Sequence, residues 1–166
     1  MIKGQDIAVL AKIIACKSES LNQLQLASEL FLSQSEISKS LHRLADAKLY
    51  SLSSKEVYRS NFLELIVHSL KYFFPVVPSS IGLGLATAWG DPVVFSDIRR
   101  TEIPIWSHID GKTRGVTVEP LYSGLVSAAL KDNEFYHLMA AIDGVRLGRL
   151  RETSQAIQYL KGKFKL

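Results

Sequence analysis

The chain has 166 residues, 47% hydrophobic and 22% charged. These are ordinary globular proportions that argue against wholesale disorder and leave room for one mid-sized domain or two small ones. No apolar run approaches the ~20 residues that cross a bilayer. The start, Met1 to Asp6, lacks the apolar stretch and cleavage site of a secretory signal. Cys16, the single cysteine, excludes an intramolecular disulfide and a cysteine-rich metal site, and a reducing cytoplasm is the expected compartment. Charge is uneven within the net +4: residues 1–60 hold 8 Lys/Arg against 6 Asp/Glu, residues 61–140 hold 6 against 8, and residues 141–166 hold 6 against 2. Basic ends suit phosphate contacts and solvated faces equally well.

In chain order, Ile7, Leu10, Ala11, Ile14 and Ala15 recur at helical spacing and predict a helix over 5–16. A polar break, Ser18 to Ser20, follows, with Ser20 as cap of a second helix over 21–30. Ser33 and Glu36 form a capping-box pattern for a third helix running to about Ala47, with Ile37, Leu41 and Leu44 on one face. Leu49–Leu52 and Glu56–Arg59, separated by small polar residues, read as a hairpin. Phe62 to Phe74 predicts one strongly apolar helix, capped by Ser60 or Asn61 and ended by Pro75, either buried within the subunit or part of a dimer seam.

All five prolines and six of the ten glycines then fall between Pro75 and Gly124. Short strands are expected at Val93–Phe95, Ile103–Trp106 and Gly115–Val118, joined by long loops. Asp132 caps a predicted helix over 132–145, and Ile157, Leu160 and Phe164 mark a last one over 150–164.

The stretch Leu26 to Leu44 carries the most chemistry. Two helices crossing steeply over a short turn need a small residue at their closest approach, here Ala27, and apolar locks, here Leu30, Leu32, Ile37 and Leu41. With Ile37, Leu41 and Leu44 inward, Gln34, Ser35, Ser38, Lys39, His42 and Arg43 point outward or flank a groove, and nearly all can hydrogen-bond. Ser33 lies at a helix N-terminus, where free N–H groups favour a phosphate. Lys55 and Arg59 on the hairpin are placed for a backbone or minor groove, and Ser33, Arg43, Lys55 and Arg59 are the residues expected to hold phosphates. Purely as chemistry, the same serines also suit the soluble face of a protein-interaction module.

This segment resembles the DNA-reading part of winged-helix regulators of the MarR-like type, whose pattern is met at Leu26-Ala27, Leu30, Leu32, Ser33, Ser35, Ile37, Ser38, Leu41, Arg43, Leu44, Ala47 and Leu49. The resemblance implies a third helix in the major groove, a hairpin acting as the wing, and a homodimer. It places Gln34, Ser35, Ser38, Lys39 and His42 at base-reading or groove-facing positions. Phe31 and Lys48 stand where glycine is usual, and a left-handed conformation there costs a non-glycine residue about 1 kcal/mol. A differently shaped turn is therefore open at both.

The expected architecture is α+β. A winged helix-turn-helix occupies residues 1–60, and a dimerisation or effector region occupies 61–166: a connecting helix (61–74), short strands and loops (75–124), and the helices at 132–145 and 150–164. The expected function is sequence-specific binding of double-stranded DNA by a dimeric repressor or autoregulator. The alternative is an antitoxin-like or assembly protein whose C-terminal region binds a protein partner. No cofactor, metal, membrane or catalytic role is expected. His42, His68, His108 and His137 lack ligand spacing. Ile81–Thr87 carries only two glycines of a dinucleotide fingerprint and reads as a loop.

Overall fold

A computed structural model describes residues 1–17 and 20–166; Ser18 and Glu19, within the expected polar break, lie outside the described residues. α1 (Gly4–Ala15) and α3 (Gln34–Asp46) fall where apolar periodicity puts them. α2 (Gln23–Leu30) starts two residues later than expected, because Asn22 rather than Ser20 is its cap. The Asn22 side chain accepts from the Gln25 N–H at 2.8 Å, and Gln25 accepts from the Asn22 N–H at 2.9 Å. Two otherwise unpartnered donors are satisfied at once.

β1 (Tyr50–Ser51) and β2 (Glu56–Val57) pair antiparallel as a short hairpin, Tyr50 opposite Val57. The expected single apolar helix after it is two pieces, α4 (Arg59–His68) and α5 (Leu70–Phe73), entered from Tyr58 rather than capped by Ser60 or Asn61. The break falls at Ser69, whose backbone leaves the helical region at φ −129°. Its apolar character also divides: Phe62, Leu63, Ile66 and Leu70 are buried, whereas Tyr72 and Phe73 are exposed.

Three strands follow: β3 (Ile81–Ala86), β4 (Pro104–Ser107) and β5 (Thr113–Thr117). Each pairs with both others, β3 antiparallel to β4 and β5, and β4 parallel to β5, so this small sheet closes on itself. The Ile81–Thr87 segment is thus a strand for most of its length and not the expected loop. Gly84 is what allows it: the residue pairs with Ser107 on one side and Thr113 on the other. A Cβ there would lie 1.9 Å from the Trp106 carbonyl oxygen. Val93–Phe95, expected as a strand, is a turn in which Asp91 accepts from the Val93 N–H and the Phe95 N–H bonds the Asp91 carbonyl.

α6 (Leu125–Lys131), which the sequence pattern did not predict, leads into α7 (Asn133–Leu147), with Asp132 accepting from the Phe135 N–H, and then α8 (Leu150–Phe164). One continuous apolar core runs from Ile7 and Leu10 through Leu30 and Leu44 to Phe135, Ile142 and Phe164. Polar ties cross it. Asp143, buried on α7, accepts from Thr87 Oγ1, Trp106 Nε1 and Arg146 Nη1. Buried Lys12 pairs with Asp132 at 2.6 Å and with Glu29 at 3.3 Å. α1 is therefore packed against α7 and α2 against α6, while α3 rests on α1 and α2.

Candidate nucleic-acid interface

On α3, Ile37 and Leu44 are wholly buried and Leu41 is nearly so. The same helical phase leaves Gln34, Ser35, Lys39 and His42 exposed and Ser38 half-buried. His42 Nδ1 lies 2.8 Å from the Ser38 carbonyl. A carbonyl only accepts, so the proton belongs on Nδ1, and Nε2 remains the outward nitrogen. The result is a polar ridge about two turns long with no bulky apolar side chain on it.

Three residues expected at phosphates, Ser33, Arg43 and Arg59, are engaged within the fold. The Ser33 N–H donates to the Glu36 carboxylate at 2.8 Å, while Ser33 Oγ accepts from the Glu36 N–H at 3.1 Å. The Ser33 N–H and hydroxyl are thus both engaged by Glu36, whose carboxylate lies at the α3 N-terminus. The backbone N–H of Ser33, and then its hydroxyl, hold the Glu36 carboxyl below its usual range. Arg43, expected beside a groove, turns to α1 and donates from Nε and Nη2 to the two oxygens of buried Asp6, at 2.9 and 2.6 Å. Helical phase could not reveal this, because the partner lies 37 residues away.

On the hairpin, Lys55 is exposed. Arg59, half-buried at the first turn of α4, donates to the Phe164 carbonyl at 3.3 Å and so faces the end of α8. The structure therefore brings Gln34, Ser35, Ser38, Lys39 and His42 together on one helix face, with Lys55 on the neighbouring hairpin, and directs Ser33, Arg43 and Arg59 into internal contacts.

Sequence reasoning missed how the C-terminal half grips the corner between α2 and α3. Tyr122 Oη donates to the Leu30 carbonyl at 2.9 Å, and burial pushes that phenol far up. Lys131 at the end of α6 stands 4.7 Å from the centroid of the exposed Phe31 ring. Neither pair has a local pattern; only the fold joins them.

No known protein family, characterised protein or solved structure matches this chain. Its site is read from its own geometry. Among the described residues no cluster of three or more His, Cys, Asp or Glu could hold a metal ion, and no helix is long and apolar enough to cross a membrane. Asp91 and His137 form a 2.6 Å pair. A small cleft beside the three-stranded sheet, about 100 Å³ between Trp89, Ile103, Pro104 and Val116, is below the size of sites for drug-sized ligands.

Proposed function

We propose that this protein is a sequence-specific binder of double-stranded DNA and regulates transcription, its first three helices and hairpin acting as a winged helix-turn-helix of the MarR-like type. One observation carries the reading: a capped, polar helix face, Gln34, Ser35, Ser38, Lys39 and His42, backed by three buried apolar residues. A helix fits the major groove, where amide, hydroxyl, ammonium and imidazole groups find the donors and acceptors of base edges. Lys55 serves the backbone from the hairpin. By the same resemblance the protein works as a homodimer on an inverted repeat, as a repressor or autoregulator. Arg43 takes the role of holding α3 on α1 in place of a phosphate contact.

The test is selection of genomic fragments by the full chain, followed by titration of the selected duplex against Lys39→Ala/His42→Ala. The double variant is expected to fold normally and to lose sequence preference. Undiminished preference in a folded double variant would falsify the assignment of this face.

A second reading, an interaction protein of the antitoxin or assembly kind, draws on Tyr72 and Phe73, exposed at 71% and 68%. Large exposed aromatics side by side suit a protein partner. Recovery of a stoichiometric protein with no enriched DNA favours this reading over the first.

A further inference from the structure

At the start of α3, where Ser33 is expected at a phosphate, the Glu36 carboxylate accepts from the Ser33 N–H. Lys3 and Lys39 already act on that carboxylate, and a strand passing this end of α3 gains from any further cation at the corner. One such cation, from the C-terminal half, is Lys131. It sits over the ring of Phe31, two residues before the Ser33 cap, although it is 100 residues distant in sequence.

The placement is held by several independent ties. Gly124, opening α6, packs where a Cβ would come 2.9 Å from the Leu30 carbonyl oxygen. Tyr122 bonds that same carbonyl. Asp132, directly after Lys131, is bound to Lys12 on α1 and caps α7. That last contact matters twice. It anchors the end of α6 against α1, and it turns the adjacent carboxylate inward, away from Lys131. Among the described residues, no carboxylate lies within ion-pair distance of the Lys131 ammonium, which is exposed at the corner.

We infer that Lys131 is a backbone-contacting residue of the nucleic-acid surface, presented to a DNA phosphate beside the start of α3 by the C-terminal half. This rests on the reading of α3 as the base-reading helix. It extends that reading by making the C-terminal end of α6 part of the DNA-binding surface. Phe31 acquires a function here: its ring supports the lysine stem and keeps the ammonium at the turn.

The experiment measures affinity against salt for the full chain on its selected duplex and on a short random-sequence duplex. Lys131→Gln is expected to bind both duplexes several-fold more weakly at low salt. Its slope of log affinity against log salt should be shallower by about 0.9, the value for one lost phosphate contact. Thermal midpoint and sequence preference should be unchanged, and Lys131→Arg should restore the parent slope. An unchanged slope in folded Lys131→Gln, with Lys39→Ala/His42→Ala still losing preference, overturns this inference and leaves the α3 reading standing. Retained preference in Lys39→Ala/His42→Ala overturns the α3 reading and this inference with it.

Discussion

Arg43 grips Asp6 through two parallel hydrogen bonds, Nε to Oδ2 at 2.9 Å and Nη2 to Oδ1 at 2.6 Å, and the carboxylate it grips is fully buried. The pair ties α3 to the first turn of α1, where the Lys3 N–H also donates to Asp6. Breaking such a pair from one side leaves a buried charge unmatched, which costs about 3–5 kcal/mol. Arg43→Ala is therefore expected to lower the urea unfolding midpoint severely. Arg43→Lys should recover only part of the loss, because an ammonium cannot make the fork. By contrast Lys39→Ala, on the exposed face, is expected to stay within about 0.5 kcal/mol of the parent. Equal stability of Arg43→Ala and the parent would show that the fork carries no weight in folding.

The link between Lys12 and Asp132 makes stability depend on pH at both ends of the scale. Burial alone would push the Asp132 carboxyl up, but the Lys12 ammonium and the Phe135 N–H outweigh it and hold the group below its ordinary 3.8. A carboxyl so held binds its proton less readily when folded. Its contribution is present above 3.8 and is lost as pH falls further. For Lys12, burial lowers the pKa, yet the Asp132 hydrogen bond and charge raise it above 10.5. That contribution is complete below 10.5 and is lost as pH rises beyond. In urea titrations across pH, Asp132→Asn should flatten the acid limb while keeping an oxygen for the α7 cap. Lys12→Met should flatten the alkaline limb. An acid limb as steep in Asp132→Asn as in the parent is the contrary result.

Much of this fold could be read from local pattern because local pattern caused it. Ser33 with Glu36 started α3, Asp132 started α7, and the spacing of Ile157, Leu160 and Phe164 marked α8. β3 and Arg43 failed for the opposite cause, whereas the Asn22 cap and the Asp91 turn were local signals passed over. β3 reads as a glycine-rich loop because its stability comes from two partners met far along the chain, at Trp106 and Thr113. The outward residues of α3 followed from helical phase, since phase alone decides which side is buried. Arg43, on the same helix, could not be placed by phase, because its position depends on Asp6. The ends of α2 and α3 fell close to where they are expected although the usual glycine signal is absent, and Phe31 and Lys48 both adopt the left-handed conformation at φ 55° and 58°.

Asp143 gathers three donors inside the C-terminal half: Thr87 Oγ1 at 2.9 Å, Trp106 Nε1 at 2.8 Å and Arg146 Nη1 at 2.6 Å. Arg146 in turn donates from Nε and Nη2 to the Phe74 carbonyl, so one carboxylate locks the sheet and the end of α5 onto α7. Removing a single neutral donor to this charged carboxylate should cost about 1.5–3 kcal/mol, as in Thr87→Val. Removing the acceptor strands a buried guanidinium, and Asp143→Ala should cost about 3–5 kcal/mol. Near-ultraviolet circular dichroism reports the same event through Trp106, which is fully buried. A parent-like spectrum and midpoint in Asp143→Ala would show that the three donors find other partners.

Lys48 provides a direct measure of what the left-handed helix ends cost. Its backbone closes α3 through the Lys48 N–H to the Ala45 carbonyl at 3.0 Å and the Leu49 N–H to the Leu44 carbonyl at 2.9 Å. Its side chain is exposed, so substitutions there test backbone conformation and little else. Glycine relieves about 1 kcal/mol of left-handed strain, but the unfolded chain gains freedom that offsets about 0.5–1 kcal/mol of it. Lys48→Gly is therefore expected to be neutral or slightly stabilising. Lys48→Val, branched at Cβ where the conformation is most crowded, should lose more than about 1 kcal/mol. Phe31→Gly relieves the same strain at the end of α2, but it also removes the ring beneath Lys131. It should thus match Lys48→Gly in unfolding midpoint while weakening the affinity for duplex that Lys48→Gly leaves unchanged. A Phe31→Gly protein binding duplex as tightly as the parent would separate the shape of the turn from the position of the lysine.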